Sequence, residues 1–155
     1  ADVAPRLGAP IEAFRLFYED EDGERELPRP PSLGFRTNFK TGLDHQAVLC
    51  QLSLLHDLGG FDTSLRIAMD YDFFLRAYRR GVLAQIHDLP ISVMRKTGIS
   101  SRSDKASLLQ RFLEEKKIHE RYASNPGWRA VYWAYWIAYP IYRGFNPWRD
   151  FRNTL

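Results

Sequence analysis

The sequence predicts an α/β fold, with a short sheet, flanking helices and a C-terminal helical tail. Three observations carry this. Ile11 to Tyr18 is rich in apolar and aromatic residues and alternates as a strand does, with Phe14, Leu16 and Tyr18 on one face. From Tyr71 the pattern turns helical, with Tyr71, Phe74, Leu75 and Tyr78 three and four apart. A second helical stretch runs to about Tyr122, and an aromatic tail follows it. At 155 residues, 45% hydrophobic and 26% charged, the chain suits one soluble domain with a genuine core.

Residues 1–10 carry Pro5, Gly8 and Pro10 and read as loop. After the first strand, Asp22-Gly23 is a hairpin turn signal. The acid run Glu19 to Glu24 lacks the ligand spacing of a calcium loop and reads as a solvated hairpin tip. Pro28, Pro30 and Pro31 break regular structure, so residues 28–42 are expected to cross as loop. Ala47 to Cys50 is the next strand, and Ser53 is expected to cap a short helix, Leu54 to Leu58, with His56 and Asp57 exposed.

Gly59-Gly60 ends that helix, because glycine takes positive φ without steric cost. The next helix begins near Asp70 and stops at Gly81, behind Arg79-Arg80. Asp70 and Asp72 lie two apart and point to nearly opposite sides. Asp72 stands four before Arg76, the spacing of a surface ion pair. Asp70 falls at the expected N-cap, where a carboxylate accepts a backbone N–H. A carboxylate there, beside a glycine-bearing link, also suits a general base in a cleft, and pattern alone leaves both readings open. Asp62 suits a turn-capping role.

Val82 to Ile86 and Ile91 to Met94 read as short strands around Asp88-Leu89-Pro90. The polar loop 95–103 follows; Arg95, Lys96 and Arg102 are suited to a diphosphate or to solvent alike. Ser103 or Asp104 caps the next helix, with Leu108, Phe112, Ile118 and Tyr122 on its packing side and Glu114 to Lys117 elsewhere. Asn125-Pro126-Gly127 ends it.

All four tryptophans lie in the tail, and Ala130 to Tyr142 is uncharged. That is well short of the roughly 20 apolar residues a spanning helix needs, and Pro140 is expected to kink it. A helix would align Trp128, Tyr132, Tyr135, Tyr139 and Tyr142. Such a face suits either a membrane interface, with the arginines on anionic lipid, or packing on the domain or a partner. The expected division is therefore 1–126, a globular part, and 127–155, an aromatic amphipathic tail.

Net charge is +3 and no nucleic-acid-binding signature is present. The single cysteine, Cys50, excludes a disulfide framework or a cysteine-based zinc site within one chain and is compatible with a reducing compartment. With no signal peptide legible in residues 1–10, the expected location is cytoplasmic, with peripheral contact at the inner face of the membrane. The absent initiator methionine suggests an excised or processed piece.

Gly59-Gly60-Phe61-Asp62, a short gap, and Ala68-Met69-Asp70-Tyr71-Asp72-Phe73-Phe74-Leu75-Arg76 together resemble the acceptor-side half of family-2 glycosyltransferases, inverting enzymes of the GT-A fold. Asp44-His45-Gln46-Ala47-Val48 is similar to the family's His-Gln segment entering a strand. Pro90 to Arg95, then Thr97 to Ser101, is similar to its closing strand and loop. The four pieces stand in order over about residues 44–104.

The resemblance implies a partial GT-A-like fold with a short mixed sheet, in the C-terminal portion of a larger enzyme. That enzyme moves a sugar from a nucleotide-diphosphate donor to a glycan or lipid-linked hydroxyl acceptor, as in polysaccharide biosynthesis. It implies Asp70 as catalytic base and His45 and Gln46 in the acceptor cleft, with Asp72, Arg95 and Lys96 as further substrate-binding residues. Met69 stands where the family often has an acid, and Lys96-Thr97-Gly98 where many relatives have a histidine. A divalent metal, Mg²⁺ or Mn²⁺, is implied for the intact enzyme through an Asp-x-Asp motif that this chain lacks. Asp20-Glu21-Asp22 matches that motif only in letters. The expectation is that the chain alone does not turn over. A second reading is a non-catalytic module that binds a membrane or partner.

Overall fold

The computed structural model describes residues 7–95 and 105–145, the side chains at 105–106 and 140–145 excepted. The fold is mixed α/β. Strand β1 spans Ile11–Glu19, β2 Arg25–Glu26, β3 Val48–Cys50 and β4 Ala84–Arg95; helix α1 spans Leu52–Asp57, α2 Met69–Arg79, α3 Lys105–Tyr122 and α4 Pro126–Phe145. One-turn 3₁₀ helices lie at Phe35–Asn38 and His45–Ala47.

The sheet is organised on β1. β4 runs parallel to it along its whole length, from Ile11 opposite Ala84 to Glu19 opposite Arg95. β2 and β3 pair with it antiparallel, at Tyr18–Glu19 and Ile11–Ala13. Since β4 occupies one edge throughout, β2 and β3 must share the other. The two strands expected between Val82 and Met94 are one, because irregularities in the register near Ala13–Leu16 absorb the Asp88-Leu89-Pro90 interruption.

Both faces of β1 are buried, as its composition requires. Ile11 and Ala13 pack with Leu43, Leu58, Phe73, Phe74 and Ala77. Phe14, Leu16 and Tyr18 pack with Ala47 and Met94. Helix α2 meets the sheet through the first cluster; Tyr71 and Leu75 on its other side join Leu65, Ala68 and Ile118 of α3. It is therefore buried nearly all round, more than the single apolar face read from its sequence.

Glycine supplies the turn before it. Gly59 and Gly60 have φ of 78° and 71°, and Gly60 N–H closes back on Leu55 C=O at 2.8 Å. The preceding helix differs slightly from expectation: it starts at Leu52 after Gln51, without a Ser53 cap. The Asp22-Gly23 hairpin is present, with Asp20 Oδ1 accepting from Asp22 N and Glu24 N.

Asn125-Pro126-Gly127 begins a helix as well as closing one. Asn125 Oδ1 accepts from Trp128 N at 2.9 Å, and proline at the first helical position forfeits no needed donor. The helix continues past Pro140 to Phe145. The aromatic side considered for a membrane turns inward instead. Tyr132 stacks on His119 at 4.3 Å, Tyr135 meets Phe39 at 5.4 Å and Tyr139 meets Phe112 at 5.5 Å. Burying these rings on the domain removes more apolar area from water than leaving them exposed. Tyr142, Arg143, Trp148 and Phe151 lie outside the described side chains, as do Lys96, Arg102 and the Ser103–Asp104 cap.

Candidate active site

Asp70 occupies the second position of α2, so the N-cap expected of it falls to Ala68, which has no capping side chain. The cap comes from α3. Glu114, expected on the solvent side, is buried; its Oε2 accepts from Ile67 N at 2.8 Å and Ala68 N at 2.9 Å, and its Oε1 from Arg66 N at 3.1 Å. A carboxylate at a helix N-terminus satisfies donors that have no intrahelical partner and favours the helix dipole. This clamp fixes the link from which Asp70 projects.

Asp70 is thereby free to face outward, its side chain 22% exposed. Its Oδ1 accepts from Tyr71 N at 2.7 Å, and its Oδ2 lies 3.1 Å from His45 Nδ1. A carboxylate only accepts, so His45 carries a proton on Nδ1. The hydrogen bond to Asp70 raises the His45 pKa above its ordinary value; burial opposes this, and the charges of Asp70 and Asp44 add to it.

His45 is held by the 3₁₀ turn, where Ala47 N–H bonds to Asp44 C=O at 2.9 Å. The Asp44 side chain goes the other way and accepts from Tyr18 Oη at 2.9 Å. Burial pushes the Asp44 carboxyl up, the Tyr18 hydroxyl lowers it, and the Asp70 charge raises it again. The end of β1, the 3₁₀ turn and the start of α2 thus converge on one acidic and imidazole cluster. Tyr18 and Glu114 had no assigned role from sequence. Asp44 could have been suspected from its place beside His45, whereas Glu114 reaches backbone 46 to 48 residues away and leaves no local signal.

The other expected site residues are placed differently. Gln46 is exposed on the same turn as His45. Asp72 does pair with Arg76, at 2.8 Å, but is 1% exposed rather than on the surface, and Arg121 lies 3.6 Å from it. Arg76 in turn donates to Leu58 C=O and, at 2.7 Å, to Gly60 C=O. The pair therefore ties the Gly59-Gly60 turn to α2, on the side of the helix away from Asp70. Asp62 caps its turn through Ser64 N at 2.9 Å and holds Arg121 at 2.7 Å. Arg95 is bound at 3.1 Å by Glu19, which also holds Arg25 at 3.0 Å. Adjacent strand residues point to opposite faces, so Arg95 and Glu19 do not share the face of Tyr18. Lys96 lies outside the described residues.

A divalent cation has no fitting ligand set here: among the described residues no group of three or more His, Cys, Asp or Glu side chains is placed to hold one. The cluster can hold a hydroxyl and take its proton, with His45 orienting the accepting carboxylate. No protein-family model, curated protein or solved structure matches the chain.

Proposed function

We propose that the chain is the acceptor-side part of an inverting glycosyltransferase of GT-A-like fold, with Asp70 as the base for the acceptor hydroxyl. One observation carries the reading. His45 and Asp70, 25 residues apart and each assigned to one cleft by separate motifs of the resemblance, meet at 3.1 Å. The nucleotide-sugar donor and a divalent metal would be held by sequence beyond this chain.

The chemistry asked of these residues is limited. A sugar hydroxyl within hydrogen-bond reach of Asp70 gives its proton to the carboxylate as its oxygen attacks the anomeric carbon. The bond from that carbon to the diphosphate breaks with the electron pair leaving on phosphate oxygen, and configuration inverts. His45 keeps the carboxylate oriented through Nδ1–H. Glu114 and the Asp72–Arg76 pair position the helix that carries the base. A glycan or lipid-linked acceptor and a cytoplasmic location at the membrane face belong to the same proposal.

The test is sugar transfer by the polypeptide that contains this chain, across a panel of uridine and guanosine diphosphate sugars. Asp70→Asn keeps size and removes basicity, so transfer should fall about 10²–10⁴-fold with the melting temperature unchanged. Near-normal transfer by the variant would remove Asp70 from the mechanism. The alternative, a binding module, is favoured by the exposed apolar side chains of α3 and α4.

A further inference from the structure

Packing of the tyrosine side of α4 against the domain leaves another side of the helical hairpin uncovered. Only residues 123–125 join α3 to α4, and the helices run antiparallel: His119 meets Tyr132, Tyr135 and Trp136, while Phe112 meets Trp136 and Tyr139. Leu109 and Leu113, one turn apart, flank Phe112 on α3. Trp133 and Ile137, one turn apart, flank Trp136 on α4. Phe112 and Trp136 touch, with ring centroids 6.2 Å apart, so both pairs border one seam. Both turn away from the core: Leu113 is 60% and Trp133 70% exposed, and Leu109 and Ile137 are about half exposed or more.

The charges around the seam are one-sided. Helix α4 carries no Asp or Glu, and its Arg129, one turn before Trp133, is exposed, whereas Arg121 of α3 is held by Asp62. Lys117 adds an exposed cation on α3, beside Lys116, which pairs with the exposed Glu120 at 3.8 Å. An apolar seam with an exposed indole, bordered by cations and an acid-free helix, complements an anionic bilayer surface, where rings enter the headgroup layer and cations meet lipid phosphate. None of the described helices is long and apolar enough to cross a membrane, so the contact is lateral.

We propose that the Leu109–Leu113–Trp133–Ile137 seam of the α3–α4 hairpin lies on anionic membrane. The inference does not require glycosyl transfer; it gives the membrane-face location proposed above a surface, on a different side of α4 from the one its sequence first suggests. Arginine attraction makes the binding salt-sensitive, since exposed charges are screened beyond about 10 Å at moderate ionic strength.

Flotation of the full chain with vesicles of phosphatidylcholine, alone or mixed with phosphatidylglycerol, tests it. Binding is expected to the mixed vesicles at low salt and to fall with added salt. Trp133→Asp and Leu113→Asp, both at exposed positions that should leave the fold intact, are each expected to weaken it about tenfold or more. For the parent, quenching of tryptophan fluorescence by brominated acyl chains supplies a readout that needs no variant. Absence of flotation at low salt, absence of quenching, or equal binding to neutral vesicles overturns the proposal. So does a lipid-free dimer in sedimentation that Trp133→Asp dissociates, which would assign the seam to a second copy of the chain.

Discussion

Replacing Glu114 with alanine should be among the most damaging single changes in α3, although the residue lies far in sequence from the segment it supports. The carboxylate accepts three backbone N–H groups; the bond from Ala68 is buried and those from Ile67 and Arg66 are partly buried, Arg66 itself being an exposed residue. The Ala68 donor left unpaired costs about 2–3 kcal/mol and the Ile67 donor about 1 kcal/mol, while Arg66 recovers its bond from water. Loss of an anion at the N-terminus of α2 adds about 0.5 kcal/mol. The expected loss is therefore about 3–5 kcal/mol, a large share of the roughly 5–15 kcal/mol by which domains are stable. Glu114→Gln keeps one carbonyl acceptor and should cost about half as much.

Urea unfolding followed by circular dichroism measures both. Burial pushes the Glu114 pKa up, but the N–H groups of Ala68, Ile67 and Arg66 outweigh it and hold it below the ordinary 4.5. A depressed carboxyl stabilises above its unfolded pKa, and the contribution fades as pH falls through the lower folded value. Glu114→Gln should lack that part of the acid limb. An alanine variant within about 0.5 kcal/mol of the parent, or a glutamine variant as damaged as alanine, would refute the clamp.

Other consequences follow from the α2–α3–α4 interface. Tyr132→Ala removes a ring stacked on His119 and the phenol that accepts from Arg79 Nη2 at 2.9 Å, and should cost about 3–5 kcal/mol in the same urea assay. Trp136 Nε1–H donates to His119 Nδ1 at 3.0 Å, so the buried ring is neutral with its other proton towards Tyr71 Oη. Burial, and then the Arg79 charge, push the His119 pKa down from 6.5 to about 4. Between those values the unfolded chain binds the extra proton, so stability should fall as pH drops, by at most about 1.4 kcal/mol per pH unit. A pH series of melts should show this slope in the parent and not in His119→Gln; parallel curves would place the cause elsewhere.

Local signals were legible and long-range ones were not. Strand β1, the Asp22-Gly23 hairpin and the Gly59-Gly60 stop each rest on neighbouring residues, and each is present. The interruption at Asp88-Leu89-Pro90 looked like a break because proline opposes regular strand. Irregular register against β1 accommodates it, and register is a property of the partner strand. The heptad-like spacing of the α4 aromatics identified a face but not what covers it; Phe39, Phe112 and His119 do. In the site, Asp70 and His45 could be named from motifs, yet their contact, the Tyr18–Asp44 bond and the Glu114 clamp are tertiary. Asp72 showed its partner, four residues on, but not its burial beneath α3.

That His45 and Asp70 form one acid–base unit is tested most directly by the titration of the His45 ring, followed by NMR of its carbon-bound protons. The His45 pKa is expected above the ordinary 6.5, and to drop when Asp70 is replaced by Asn because the amide withdraws the charge and the strongest acceptor of Nδ1–H. The sign extends to stability: a raised histidine pKa stabilises fully below the unfolded value of 6.5, and the contribution is lost as pH rises through the folded one. A His45 that titrates at or below 6.5, with no change in Asp70→Asn, would contradict the pairing on which the proposed site rests.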